Sequence, residues 1–100
     1  MSNCCQNPKD SKQISDLSEI LKIISEPNRL KILCLLKLGD MCVCEVEKEL
    51  NLKQNLVSHH LKVLRDANLI DYEKKGQCKC YCLNRKEIEK WQIITKQLKQ

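Results

Sequence analysis

Between Gln54 and Ala67 the side chains sort onto two faces of a helix. Val57, Leu61 and Leu64 recur at helical intervals as an apolar stripe, while Gln54, Asn55, Ser58, His59, Lys62 and Arg65 occupy the opposite side. Every side chain on that outer face donates hydrogen bonds, carries positive charge, or does both. A helix of this kind lies at the surface of a domain, with only its stripe against the core. His60 adjoins the stripe and reads as a core histidine with satisfied ring nitrogens, not as a ligand or base contact.

The flanking segments supply the core. Upstream, Leu17, Ile20, Leu21 and Ile24 share one helical face after Ser15, a candidate N-cap. Pro27 suits the first turn of a second helix whose apolar residues, from Leu30, Leu33 and Cys34 onward, point nearly all round, and Gly39 suits its end. That helix is expected to sit centrally, with Cys34 in the core. After a connecting segment, Asp40 to Val43, a short third helix runs from about Cys44 to Leu50, with Val46 and Leu50 inward and Asn51 as its stop. Beyond the polar-faced fourth helix, Leu69 to Lys74 alternates with Ile70 and Tyr72 on one side and Asp71 and Glu73 on the other. A turn at Lys75-Gly76 leads to a second alternating run, Cys78 to Leu83. A last helix, from Arg85 to about Leu98, carries Ile88, Trp91 or Ile94, and Leu98 on a face that serves either dimerisation or packing on the domain's own core. Residues 1–12 read as a flexible arm bearing Cys4 and Cys5, and residues 13–100 as one domain.

The charge is localised. The formal net charge is +5, and the segment from Lys53 to Lys86, with eight basic and three acidic residues, accounts for all of it. Such a segment is either the footprint of a polyanion binder or a solvated lysine-rich face. The third helix, the tight turn Asn51 to Lys53 and the fourth helix decide in favour of nucleic acid, because together they form a helix-turn-helix. Gln54, Asn55, Ser58 and His59 then face base edges in the major groove of double-stranded DNA, and Lys62 and Arg65 face phosphates. The hairpin adds Lys74, Lys75 and Gln77 as a wing near the backbone or minor groove. The fold class expected is mainly α with a small β-hairpin, a winged helix-turn-helix. No CxxC, glycine-rich phosphate loop or catalytic constellation is evident, so neither an enzyme nor a small organic substrate is expected. No apolar run approaches the roughly 18 residues of a membrane span, and the polar N-terminus lacks a secretory core, so the chain reads as cytoplasmic.

Eight cysteines in such a chain read as thiolate ligands or redox thiols rather than as a disulfide framework, since close spacings like Cys42-x-Cys44 and Cys78-x-Cys80-x-Cys82 rarely form structural bridges. Four stretches, "EPNRLKILCLL", "MCVCEV", "VSHHLKVLRDANLI" and the wing "KKGQ" leading to Tyr81 and Leu83, together resemble the ArsR/SmtB metal-responsive repressors over about Leu17 to Leu98. The resemblance implies a homodimer that binds operator DNA in its apo form and leaves it when a thiophilic metal or metalloid ion binds. It assigns the sensing thiolates to Cys42 and Cys44. Glu47 stands where some arsenic sensors of the family carry a further cysteine, and Cys4 and Cys5 are the candidates for missing ligands, as in cadmium- and lead-sensing members. Three thiolates suit As(III) or Sb(III); four suit Cd, Pb or Zn. The carboxylate and histidine site of other members is expected absent, because the terminal helix has no histidine.

Cys78, Cys80 and Cys82 lie outside the family's pattern. On a strand they share one face at about 6.6 Å per two-residue step, so Cys78 and Cys82, about 13 Å apart, cannot share one ion with Cys80. With Tyr81 and Leu83 toward the core these thiols point outward. They form a second metal or metalloid site, bridge subunits or sense oxidants, or are simply small β-compatible residues. Two other functional readings remain open: a thiol redox-regulated repressor on the same fold, and a metal-binding thiol protein that does not bind DNA, against which the basic polar-faced helix argues.

Overall fold

The computed structural model describes the backbone of residues 8–98 and the side chains of residues 12–92. Cys4 and Cys5 lie outside these. Helix α1 (Pro8–Ile24) begins well before Ser15, which sits inside it and is not the N-cap, and residues 8–12 of the expected arm are helical. The apolar period marks only where α1 meets the core. Pro8 suits a first helical position and nothing between it and Leu17 breaks a helix, so the helix runs past its buried part. Leu17 and Ile20 are buried, whereas Leu21 is 48% exposed.

Helix α2 (Pro27–Leu38) opens at Glu26, whose carboxylate accepts from the Arg29 backbone N–H at 3.2 Å. Only Ile32 and Leu36 are fully buried on it. Cys34 is exposed, as are Leu30 and Leu38, so Cys34 is not a core residue. A small domain has core on one side of such a helix, and the opposite apolar side stays uncovered in the single chain.

Residues 40–43 are not merely a connection. Strand β1 (Met41–Cys42) pairs antiparallel with β3 (Cys78–Leu83), Met41 opposite Tyr81 and Cys42 opposite Cys80, and β3 pairs in turn with β2 (Ile70–Lys75). The sheet order is β1-β3-β2. Two residues carry no periodicity of their own, so β1 exists only through its partner. The hairpin turns at Gly76 and Gln77, one residue later than expected, because Lys75 still pairs with Cys78. Among the described residues around this turn, only Gly76 has positive φ (+65), as the first position of a type II′ turn requires.

Helix α3 (Val43–Leu50) ends at Asn51, which takes left-handed φ 54 and ψ 46, and helix α4 (Gln54–Asp66) follows directly. Val46, Val57, Leu61 and Leu64 are all 0% exposed. With Ile20, Ile32, Leu36, Leu69, Ile70 and Tyr81 they form a core built almost entirely of branched aliphatics. Each such side chain contributes about 1.5–3 kcal/mol by leaving water. The final helix, α5 (Arg85–Leu98), sets Ile88 and Trp91 against this core. Ile94 and Leu98 lie outside the described side chains. No described helix is long and apolar enough to cross a membrane.

Candidate functional site

The "EPNRL" segment anchors α4. Arg29 reaches from α2 to two neighbours, donating through Nη1 to the Ile23 carbonyl at 3.4 Å and through Nε to His60 Nδ1 at 3.3 Å. Nδ1 also lies 3.5 Å from Glu26 Oε2, but it cannot accept from Arg29 and, protonated, donate to Glu26 at once. Burial, followed by the charges of Arg29 and His59, holds the His60 pKa below 6.5 despite Glu26, so the neutral ring accepting from Arg29 is the state near neutrality. His60 is thus a structural histidine that ties α4 to the start of α2 through Nδ1, half-buried at the edge of the core rather than within it.

The outer face of α4 forms as its period dictates: Gln54, Asn55, Ser58, His59, Lys62 and Arg65 are all exposed. A cleft of about 680 Å³ separates the helix-turn-helix from the wing, and Gln54, Ser58, Lys62 and Arg65 line it together with Gln77 and Lys79 from the hairpin. Asn55 and His59 lie on α4 outside this lining, and Lys74 and Lys75 stand exposed on β2 near its tip. Arg65 clasps the wing: its guanidinium lies 4.4 Å from the Tyr72 ring centre and 3.9 Å from Asp71. Lys79 sits 4.9 Å from the same ring centre. Tyr72 and Lys79 were missed as site residues, although the alternation that puts Tyr81 on the core side puts Lys79 beside it. Among the described residues Lys62, Lys74 and Lys75 make no ion pair, so their charge faces solvent unspent.

Cys42 and Cys44 stand at the start of α3, on the wall of that cleft. Cys42 is the N-cap residue, and Glu45 folds back to accept from its backbone N–H at 3.1 Å and from its Sγ–H at 3.0 Å. The hydrogen bond to Glu45, then burial and the negative charge of Glu45 and Cys44, push the Cys42 thiol up to about 12. The same two hydrogen bonds hold Glu45 below its usual range. With Glu45 holding its proton, Cys42 is kept in the thiol form, the less nucleophilic one.

The wing cysteines lie as alternation requires, with Tyr81 buried and Cys78 exposed, and Cys80 and Cys82 half-buried. Cys78 lines the cleft. Cys82 has its pKa raised by burial and by the charges of Asp40 and Asp71. Cys80 lies opposite Cys42 in the β1–β3 ladder, a proximity that no sequence spacing reveals. All six described cysteines are free, and among the described residues no three Cys, His, Asp or Glu side chains already surround one point as a metal site.

A short helix, a tight turn, an exposed polar helix and a hairpin clasped beside it define a winged helix-turn-helix DNA-binding domain. Residues 26–72 match the family model described as "Bacterial regulatory protein, arsR family". The chain is 39% identical over 74 residues to the arsenical resistance operon repressor of Staphylococcus xylosus, covering 74% of this chain and 71% of that protein. It is 41% identical over 68 residues to the transcriptional repressor SdpR of Bacillus subtilis, covering 68% and 76%. Its fold superposes on HlyU from Vibrio cholerae N16961 with a TM-score of 0.74 at 29% identity, covering 89% of this chain and 98% of that one. The chain belongs to the arsR family, and it is a transcriptional repressor rather than an enzyme.

Proposed function

We propose that this repressor acts as a homodimer on a pseudo-palindromic operator and leaves it when a thiophilic ion, As(III) or Sb(III), or Cd, Pb or Zn, binds at Cys42 and Cys44. The observation that carries this reading is the shared cleft. Cys42 and Cys44 line the same surface as Gln54, Ser58, Lys62 and Arg65 of the recognition helix and Gln77 of the wing. The S. xylosus relative is named for arsenical resistance and SdpR is not, so family membership alone does not select an inducer; the thiols do.

In the apo dimer the N-terminal half of α4, with Gln54, Asn55, Ser58 and His59, reads base edges. Lys62, Arg65, Lys74, Lys75 and Gln77 hold phosphates of the same half-site. Recognition helices of the two copies enter successive major grooves about 10 bp apart. Ile14 and Leu21 of α1, 49% and 48% exposed, supply an apolar face for the second copy. Ion capture breaks the Cys42–Glu45 hydrogen bond at the first turn of α3, the helix on which α4 rests. A coupling of about 1–3 kcal/mol between ion and DNA changes occupancy roughly 5- to 150-fold. Cys4 and Cys5 are the further donors available from the N-terminal segment.

A gel-shift titration tests the reading. Arsenite, antimonite, cadmium, lead and zinc are offered in turn to the protein–operator complex, and at least one is expected to release the DNA. The Cys42→Ser/Cys44→Ser protein is expected to bind DNA and ignore every ion. Release of neither complex by any ion overturns the proposal, and loss of DNA binding by the variant makes the two cysteines structural.

A further inference from the structure

We infer that Cys80, on the wing strand β3, supplies the third sulfur to Cys42 and Cys44, completing a trithiol centre for a trivalent metalloid that ties the wing to the helix-turn-helix. The inference rests on the reading of Cys42 and Cys44 given above and adds the donor that Glu47 does not provide.

The register carries it. Cys42 and Cys80 are direct partners in the antiparallel β1–β3 ladder, and such partners project from one face with Cβ atoms about 4.5–5.5 Å apart. Cys44 follows Cys42 by two residues and lines the same cleft. A soft ion holds each sulfur at about 2.3 Å, as zinc does, so the sulfurs of one site lie within about 4.6 Å of each other. Among the described residues no three such side chains surround one point, so closing the site requires side-chain rotations and an approach of β3 to α3. The other wing thiols are not ladder partners of Cys42, although Cys78, unlike Cys80, lines the cleft with Cys42 and Cys44. Cys78 and Cys82 are each one two-residue step from Cys80, about 6.6 Å along the strand, and face Lys75 and Asp71 across β2.

Charge selects the class of ion. Glu45 contacts Cys42, and Glu73 is the β2 partner of Cys80. A divalent cation on three thiolates leaves a centre of net charge −1 beside these two carboxylates. Arsenous or antimonous acid instead condenses with three thiols. Three bonds from sulfur to the metalloid replace three bonds to hydroxyl, each thiol proton leaves with a hydroxide as water, no atom changes oxidation state, and the product is neutral. The site therefore takes the neutral trivalent acid in preference to the dication, and its closure pulls β3 and the attached wing toward α3.

Intact-mass measurement of the full reduced chain treated with arsenite tests this, because each sulfur bound removes one hydroxyl from the arsenic. The wild-type protein is expected to carry arsenic with no hydroxyl retained, and Cys4→Ser/Cys5→Ser and Cys82→Ser to match it. Cys80→Ser and Cys80→Ala are each expected to retain one hydroxyl and to bind arsenite at least tenfold more weakly, with unchanged thermal melting. A hydroxyl-free adduct on both Cys80 variants, or a retained hydroxyl on Cys4→Ser/Cys5→Ser, overturns the inference. Unaltered arsenite binding by Cys42→Ser/Cys44→Ser overturns the underlying reading as well, whatever the Cys80 variants do. A tighter complex with cadmium than with arsenite refutes the selection by charge.

Discussion

Replacement of Lys62 by alanine isolates the electrostatic part of DNA binding. Lys62 lies on the outer face of α4, lines the cleft and makes no ion pair among the described residues, so its whole charge is available to a phosphate. Each phosphate neutralised contributes about 0.9 to the slope of log K against log salt, and a dimer presents the residue twice, so Lys62→Ala should lower the slope by about 1.8. Over a fourfold rise in salt, such as about 50 to 200 mM, the affinity gap between wild type and variant then narrows by about twelvefold. Arg65→Ala should alter the slope less, because the Arg65 guanidinium is already shared with Asp71 at 3.9 Å and the Tyr72 ring at 4.4 Å. Lys22→Ala on α1, where the ammonium pairs with Glu19 at 3.5 Å, should not alter it at all. Fluorescence anisotropy of a labelled duplex across a salt series reads all three. A Lys62→Ala slope equal to that of wild type, or a Lys22→Ala slope as depressed as that of Lys62→Ala, refutes the assignment of this face to the phosphate backbone.

Leu61 is fully buried, so Leu61→Ala should cost about 2–5 kcal/mol and lower Tm by about 10 °C or more in a thermal melt, whereas Leu38→Ala, at a position 85% exposed, should shift it little. Glu45→Gln removes the charge that holds the Cys42 proton, so its pKa should fall from about 12 toward 9. Alkylation of Cys42 near pH 8 should then accelerate by up to about 30-fold, the gain in thiolate being offset by lower intrinsic nucleophilicity and limited by solvent screening; an unchanged rate removes Glu45 as the cause. His60 is held below 6.5 by burial. Glu26 is held below 4.5 because its hydrogen bonds from the Asn28 and Arg29 backbone and the His60 and Arg29 charges outweigh burial. Both folded values are depressed, so both contributions are intact above the unfolded pKa and are lost as pH falls, first below 6.5 and then below 4.5. Tm against pH should decline in those two stages, and His60→Gln should flatten the first; an identical profile in the variant would assign that stage to another group.

The sequence by itself determined the elements that have a period. Val57, Leu61 and Leu64 placed one face of α4 against the core, and the polar residues between them placed the other in solvent. The alternation of Cys78 to Leu83 likewise turned Tyr81 inward and the thiols outward. These are legible because side-chain direction repeats every 3.6 residues in a helix and every two in a strand, whatever the rest of the chain does. Tertiary structure decided what has no local period. It extended α1 back to Pro8, made a strand of Met41 and Cys42, and left Cys34 uncovered, because the amount of core available to a helix is a property of its neighbours. It also clasped the wing to α4 through Arg65 and Tyr72 and set Cys42 opposite Cys80. A hydrogen-bonded ladder between distant segments has no signature in either segment alone, so Cys42 and Cys80 become partners only when the sheet forms.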